Sequence, residues 1–223
     1  MNYRHEWKHE ITYGDMLILR QRLSNVMHPD EHGINGKYLI RSLYFDNASD
    51  KALREKLDGV NKREKFRVRY YNKDTTLIRL EKKSKVNGLC LKESAPLSKE
   101  QAQKLVIGNY DWMIDSGEKL IQELYSKIMT QGLRPKTIVD YIREPYVFCP
   151  GNVRVTIDYN IRTGLNCTDF LNPNCIMVPV DDNIRILEVK WDEFLPDIIL
   201  QVVQLSNCRV NSFSKYAVCR IYG

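Results

Sequence analysis

The chain has 223 residues, 43% of them hydrophobic and 28% charged, and a formal net charge of +6. That length permits a sizeable buried core, and the composition is that of a globular chain, which sets aside disordered and fibrous classes. No apolar run approaches the ~20 residues a membrane-crossing helix needs, and so modest a net charge acts on ligands only where the positive groups cluster.

RHEWKHEIT opens the pattern by alternation, with Arg4, Glu6, Lys8 and Glu10 on one face and His5, Trp7, His9 and Ile11 on the other. A helix follows, with Thr12 as cap, Asp15 in the first turn, and Met16, Leu19, Leu23 and Val26–Met27 at helical spacing. HPDEHGING reads as a loop and KYLIRSLYFDN as a strand stopped by Asp46–Asn47. DKALREKLDG reads as a short exposed helix ended by Gly59.

Residues 66–83, FRVRYYNKDTTLIRLEKK, read as two strands joined by a turn around Asn72–Asp74. Alternation sets Phe66, Val68 and Tyr70 against Arg67, Arg69 and Tyr71, and Ile78 and Leu80 against Arg79, Glu81 and Lys83. A polar loop through Gly88 leads to Leu89–Glu93. Ser98 and Gln101 then form a capping box for a helix ending near Gly108. Residues 118–131 form an amphipathic helix, with Leu120, Ile121, Leu124, Tyr125 and Ile128 inward and Gly132 as its terminator.

TIVDYIREPY, NVRVTIDYNIRT and IRILEVKW are strands; a helix runs from about Pro196 to Leu205, and NSFSKYAVCRIYG is a last helical turn or a plug. Strand runs interrupted by helices favour an α+β fold, and without repeat or linker the simplest organisation is one domain, 1–223. Cys90, Cys149, Cys167, Cys175, Cys208 and Cys219 form no CxxC pair and no metal-ligand spacing. With no secretory leader recognised, reduced structural thiols in a cytoplasmic protein are the expectation.

The remaining strands repeat the division of faces. Tyr141 and Arg143 share a face, as do Arg154, Thr156 and Asp158, and Glu188 and Lys190; Val153, Val155, Ile157, Leu187 and Val189 lie opposite, while Arg185 breaks the rule. Two architectures accommodate this: an open sheet with one wet face, or a closed antiparallel barrel with helices outside and a charged lumen. Crowded cations need water, carboxylates or a polyanion around them. Phosphate suits them, because Arg forks bind its oxygens bidentately and Lys supplies movable point charges. Among the carboxylates, Glu188 and Glu6 lead as ligands of a divalent ion bridging phosphate oxygens, ahead of Glu81 and Asp158. Each could instead be an ion-pair partner that orients a neighbouring base. Lys83 and Lys92 read as tunnel ligands or solvated lysines, and Lys215, beside Phe213 and Tyr216, as a ligand or a snorkelling side chain. Trp7, Trp112 and Trp191 read as packing residues.

EWK at 6–8, SLYFDN at 42–47, FRVRYY at 66–71, LEKK with the later Lys92, DYIREPY at 140–146, VRVTIDYNIR at 153–162, ILEVKW at 186–191 and SFSKY at 212–216 occur in this order along the chain. The ordered set resembles the VTC domain, the catalytic polyphosphate polymerase domain of the vacuolar transporter chaperone complex and its bacterial relatives. The resemblance implies a triphosphate tunnel fold of the CYTH-like class. It implies phosphate ligation by Lys8, Arg67, Arg69, Lys83, Lys92, Arg143, Arg154 and Lys215, with Ser214 adding a hydroxyl and Glu188 holding Mn²⁺ or Mg²⁺; Lys190, on the Glu188 face, joins the phosphate-binding set. ATP and polyphosphate or pyrophosphate are the implied substrates. The wider superfamily opens with ExExK, whereas position 4 here is Arg4, one carboxylate fewer; that departure favours a phosphate over a water acceptor.

The expected reaction is therefore transfer of the ATP γ-phosphate to a growing polyphosphate chain, in the cytoplasm, with a membrane-protein partner left open. A tunnel triphosphatase and a silent polyphosphate or nucleotide binder are the alternatives. Nucleic acid is not expected, since the aromatics form no evident stacking platform. A phosphate nucleophile is already ionised, so His5, His9, His28 and His32 are not needed as bases.

Overall fold

The computed structural model describes residues 3–31, 33–205 and 213–221. His32, Cys208 and the Asn211–Ser212 start of the last motif lie outside the described residues. In chain order the elements are β1 (His5–Glu10), α1 (Tyr13–Val26), β2 (His28–Pro29), β3 (Tyr38–Asp46), α2 (Lys51–Leu57), β4 (Arg63–Tyr71), β5 (Asp74–Val86) and β6 (Leu89–Leu97). They continue with α3 (Lys99–Ile107), α4 (Lys119–Gln131), β7 (Arg134–Phe148), β8 (Val153–Thr163), β9 (Val178–Pro179), β10 (Ile186–Trp191), α5 (Asp197–Val203) and α6 (Lys215–Ile221). No helix among the described residues is long and apolar enough to cross a membrane.

The helix boundaries follow local chemistry. Thr12 accepts from the Asp15 amide at 3.1 Å while the Asp15 carboxylate accepts from the Thr12 amide at 3.0 Å, a complete capping box at the start of α1. Ser98 and Gln101 do the same for α3. Gly132 ends α4 at φ 68°, a left-handed position that costs glycine little. Asn72 and Lys73, at φ 53° and 62°, make the two-residue turn between β4 and β5, whose first pair is Tyr71 with Asp74.

All paired strands with a resolved register are antiparallel, so the fold is α+β. The hydrogen-bonded order is β1-β10-β8-β7-β3-β4-β5-β6, with β2 on β7 and β9 on β8. β1 and β6 end this path, and no pairing joins them among the described residues. The expected closed barrel is therefore corrected: among the described residues the antiparallel sheet is not fully closed. Closure requires the end strands to exchange hydrogen bonds, and β6 carries Pro96, which has no N–H to give and typifies an edge strand.

The chain divides into two compact units: Met1–Leu39, Tyr141–Ile161 and Asp181–Phe213 in the first, and Ile40–Asp140, Arg162–Val180 and Ser214–Gly223 in the second. Each has its own core. In the first, Leu19 and Leu23 of α1 and Ile199 of α5 pack with Val153, Val155, Ile157, Leu187 and Val189, the apolar strand faces. In the second, Phe66, Val68, Ile78 and Leu80 pack under Leu105 of α3 and Leu120, Leu124 and Ile128 of α4. Period-2 strand faces meet period-3.6 helix faces in both units, which leaves the charged strand faces turned from the cores.

Candidate functional site

Within the first unit, the antiparallel register puts Glu6 opposite Lys190 and Lys8 opposite Glu188. The Lys8 ammonium lies 3.2 Å from Glu6 and 3.4 Å from Glu188; that of Lys190 lies 2.6 Å from Glu188 and 3.6 Å from Glu6. Two carboxylates and two ammonium groups thus interleave, an arrangement cross-strand pairing stabilises. Lys8 also donates to the Phe213 carbonyl at 3.4 Å.

Arg143 stands beside this group, 3.8 Å from Glu188, but its fork is spent on Asp158, with Nε–Oδ1 and Nη2–Oδ2 both 2.7 Å. Burial opposes the Arg143 charge, yet Asp158, together with Tyr141 and Glu188, outweighs it and holds the pKa well above the ordinary value. Asp158, fully buried, is therefore the partner that orients Arg143. Arg154 is opposite Lys190 in register, but its guanidinium reaches Asp30 at 2.9 Å. Arg4 pairs with Asp192 at 2.6 Å and donates to the Asn152 carbonyl, so its charge is engaged there.

Within the second unit, Glu81 is the hub. It accepts from Arg67 Nε at 2.8 Å and pairs with Arg67 Nη2 at 2.7 Å, Arg69 at 3.6 Å and Lys92 at 3.2 Å. Burial alone would raise its pKa; Arg67, Arg69 and Lys92 overcome that and hold it well below the carboxylate range. Arg67 Nη1 also donates to the Tyr44 hydroxyl at 2.9 Å, and Arg69 Nε to Ser42 Oγ at 2.9 Å. Burial would push the Tyr44 phenol up, but Arg67 and Arg69 bring it below its usual value.

Three lysines then stand in a row across three strands, since Lys65 is opposite Lys83 and Lys83 is opposite Lys92. Arg69 and Arg79 are likewise opposed. Like charges directly opposite one another destabilise a sheet. Lys65 donates to Ser214 Oγ at 3.1 Å, and Lys215 begins α6 buried at 9% exposure. The following Tyr216 stacks on Tyr44 with centroids 5.0 Å apart and donates to Asp46 at 2.6 Å, which seats α6 against the polar face of β3.

The structure therefore gathers Glu6, Lys8, Arg143, Glu188 and Lys190 in one unit, and Arg67, Arg69, Lys83, Lys92, Ser214 and Lys215 in the other. Lys65 and Tyr44 were missed from sequence. Alternation could have found both, because Lys65 shares the Arg67 face and Tyr44 the Ser42 face.

For a divalent ion, Glu188 and Glu6 offer hard oxygen donors of the right kind, brought together by two shared lysines. No group of three or more His, Cys, Asp or Glu able to hold a metal occurs among the described residues. Magnesium-like ions commonly use one or two protein carboxylates and complete their shell with phosphate oxygens and water. The donor set fits an ion that arrives with phosphate, not a cage of protein ligands.

Among solved structures, the chain is similar to the PH1819 protein of Pyrococcus horikoshii OT3, at 12% identity and a TM-score of 0.45, over 90% of this chain and 84% of that one. It is similar to PH1012 from the same organism, at 11% identity and TM-score 0.45, over 90% and 85%. A conserved hypothetical protein from Pyrococcus furiosus gives 10% identity and TM-score 0.46, also over 90% and 85%. No curated protein matches the chain. The VTC domain model matches residues 3–221, nearly the whole length, and on that match the chain belongs to the VTC domain family.

Proposed function

We propose that the chain is a divalent-metal-dependent polyphosphate polymerase, transferring the γ-phosphoryl group of ATP to inorganic polyphosphate. Family membership supports this reading, and one observation carries it. In the second unit Lys65, Lys83 and Lys92 stand opposed in register, while Arg67, Arg69 and Lys92 all pair with Glu81. A sheet face with so many like charges in opposition is relieved by a bound polyanion, and phosphate oxygens match both the Arg fork and the Lys point charge.

In this reading Arg67 and Arg69, oriented by Glu81, Tyr44 and Ser42, bind phosphate oxygens. Lys83, Lys92, Ser214 and Lys215 extend the phosphate-binding surface. In the first unit Glu188 and Glu6 would hold Mn²⁺ or Mg²⁺, and the ion would supply charge neutralisation to phosphate oxygens. Lys8, Lys190, Arg143 and Arg154 would bind phosphate there, with Arg143 oriented by Asp158 and Arg154 by Asp30. Phosphoryl transfer asks mainly for positioning and charge stabilisation, and a phosphate nucleophile needs no general base.

The experiment is to incubate purified protein with ATP, Mn²⁺ and a pyrophosphate or short polyphosphate primer, and to resolve products by length. Longer polyphosphate with release of ADP supports the polymerase. Free phosphate as the only product identifies a triphosphatase, and tight binding without turnover identifies a silent binder.

A further inference from the structure

The second unit holds a dithiol that the phosphate chemistry does not use. Between β8 and β9 the chain runs without regular secondary structure, and Phe170 from this segment is buried against Tyr70, with ring centroids 4.8 Å apart. Besides turns of its own, the segment is fastened to the rest of its unit by hydrogen bonds. Gly164 donates to the Ile138 carbonyl at 2.8 Å, Arg41 to the Asn172 carbonyl at 2.7 Å, and the Tyr70 hydroxyl to the Phe170 carbonyl at 3.1 Å. Cys167 and Cys175 sit at its two ends, half-buried, with their sulfurs 2.8 Å apart. That is inside the contact distance of two unbonded sulfur atoms. The side chains are already directed at one another, so little backbone movement separates the dithiol from a disulfide.

We propose that Cys167 and Cys175 are an oxidisable pair that closes as an intramolecular disulfide, pinning the β8–β9 segment over the core of its unit. The bond links residues eight apart and removes freedom from a stretch that has no ladder to hold it. This departs, for these two residues, from the expectation of reduced thiols. A metal site is the weaker use of the pair, because no third ligand joins it among the described residues.

The order of events follows from the environment of Cys175. Burial, and then the neighbouring Cys167 thiol, push Cys175 up to about 12, so Cys167 attacks first. Its thiolate displaces one thiol from a small-molecule disulfide such as oxidised glutathione, forming a mixed disulfide. Cys175, relieved of the adjacent thiol and giving its proton to solvent, then attacks the Cys167 sulfur and expels the second small thiol. Two protein thiols are oxidised to one disulfide and the reagent is reduced to two thiols.

The test reads mass. No Lys or Arg lies between Arg162 and Arg185, so both cysteines fall in the single tryptic peptide 163–185. The purified full chain is equilibrated with oxidised glutathione, denatured, alkylated and digested. We expect this peptide to carry no alkyl group and to be two hydrogen masses lighter than the reduced form, and to gain two alkyl groups after dithiothreitol. Cys175→Ser should leave Cys167 carrying one alkyl or one glutathione. A peptide that keeps two alkyl groups under oxidation, or one with glutathione on either cysteine in the unsubstituted chain, overturns the proposal. Neither outcome depends on whether the protein handles polyphosphate.

Discussion

Arg143 and Asp158 form a two-point fork, Nε to Oδ1 and Nη2 to Oδ2, each at 2.7 Å, with Asp158 wholly shielded from solvent. Removing one partner strands the other charge in a poorly hydrated place. Asp158→Ala should cost about 3–5 kcal/mol in urea unfolding, the usual range for breaking a buried pair. The double change Arg143→Met with Asp158→Leu should cost much less, because neither charge is left behind. Equal losses in the single and double variants would contradict this account of the pair.

Glu81 makes stability depend on pH. Its folded pKa lies well below the ordinary carboxylate value of 4.5, so the unfolded chain binds the proton more readily than the folded one. Its contribution is complete above the unfolded pKa and is lost as pH falls through the folded one. Denaturant midpoints measured downward from pH 6 should therefore drop for the native chain, and drop less steeply for Glu81→Gln. Parallel curves for the two proteins would remove Glu81 from this role.

The row Lys65–Lys83–Lys92 predicts stabilisation by polyanions. Tripolyphosphate should raise the thermal midpoint, since a ligand that binds only the folded state stabilises it. The rise should shrink as salt screens the exposed partners, and should be smaller in Lys83→Ala and in Lys92→Ala. An unchanged midpoint at saturating tripolyphosphate would sink the phosphate reading of this face.

Glu188, 5% exposed at its side chain and bound by Lys190 at 2.6 Å, is the residue on which metal dependence should turn. In the primer-extension reaction, Glu188→Gln should lose most of the turnover, and chelating the divalent ion should lower the native rate to the same floor. Chelation should then have no further effect on the variant. A variant that still responds to added Mn²⁺ as the native chain does would show that the ion is held elsewhere.

Helix capping offers a local check. Thr12 completes both halves of its capping box, so Thr12→Ala should destabilise the protein by about 1 kcal/mol, the usual worth of such a cap. The loss should appear in equilibrium unfolding without a change in polyphosphate or ATP binding.

The elements and their faces were determined by the sequence alone, because the causes are local. Alternation in FRVRYY separates Arg67 and Arg69 from Phe66, Val68 and Tyr70, and the capping chemistry of Thr12, Ser98 and Gly132 marks helix ends within a residue or two. The ordered motifs likewise carried the family. What the tertiary structure decided was pairing. Only the strand register could put Lys83 between Lys65 and Lys92, give Glu81 to three bases at once, turn Arg154 toward Asp30 and Arg4 toward Asp192, or leave β1 and β6 without a pairing between them among the described residues. Those outcomes depend on which distant segments exchange backbone hydrogen bonds, and a charge on one strand holds no information about the charge it will face.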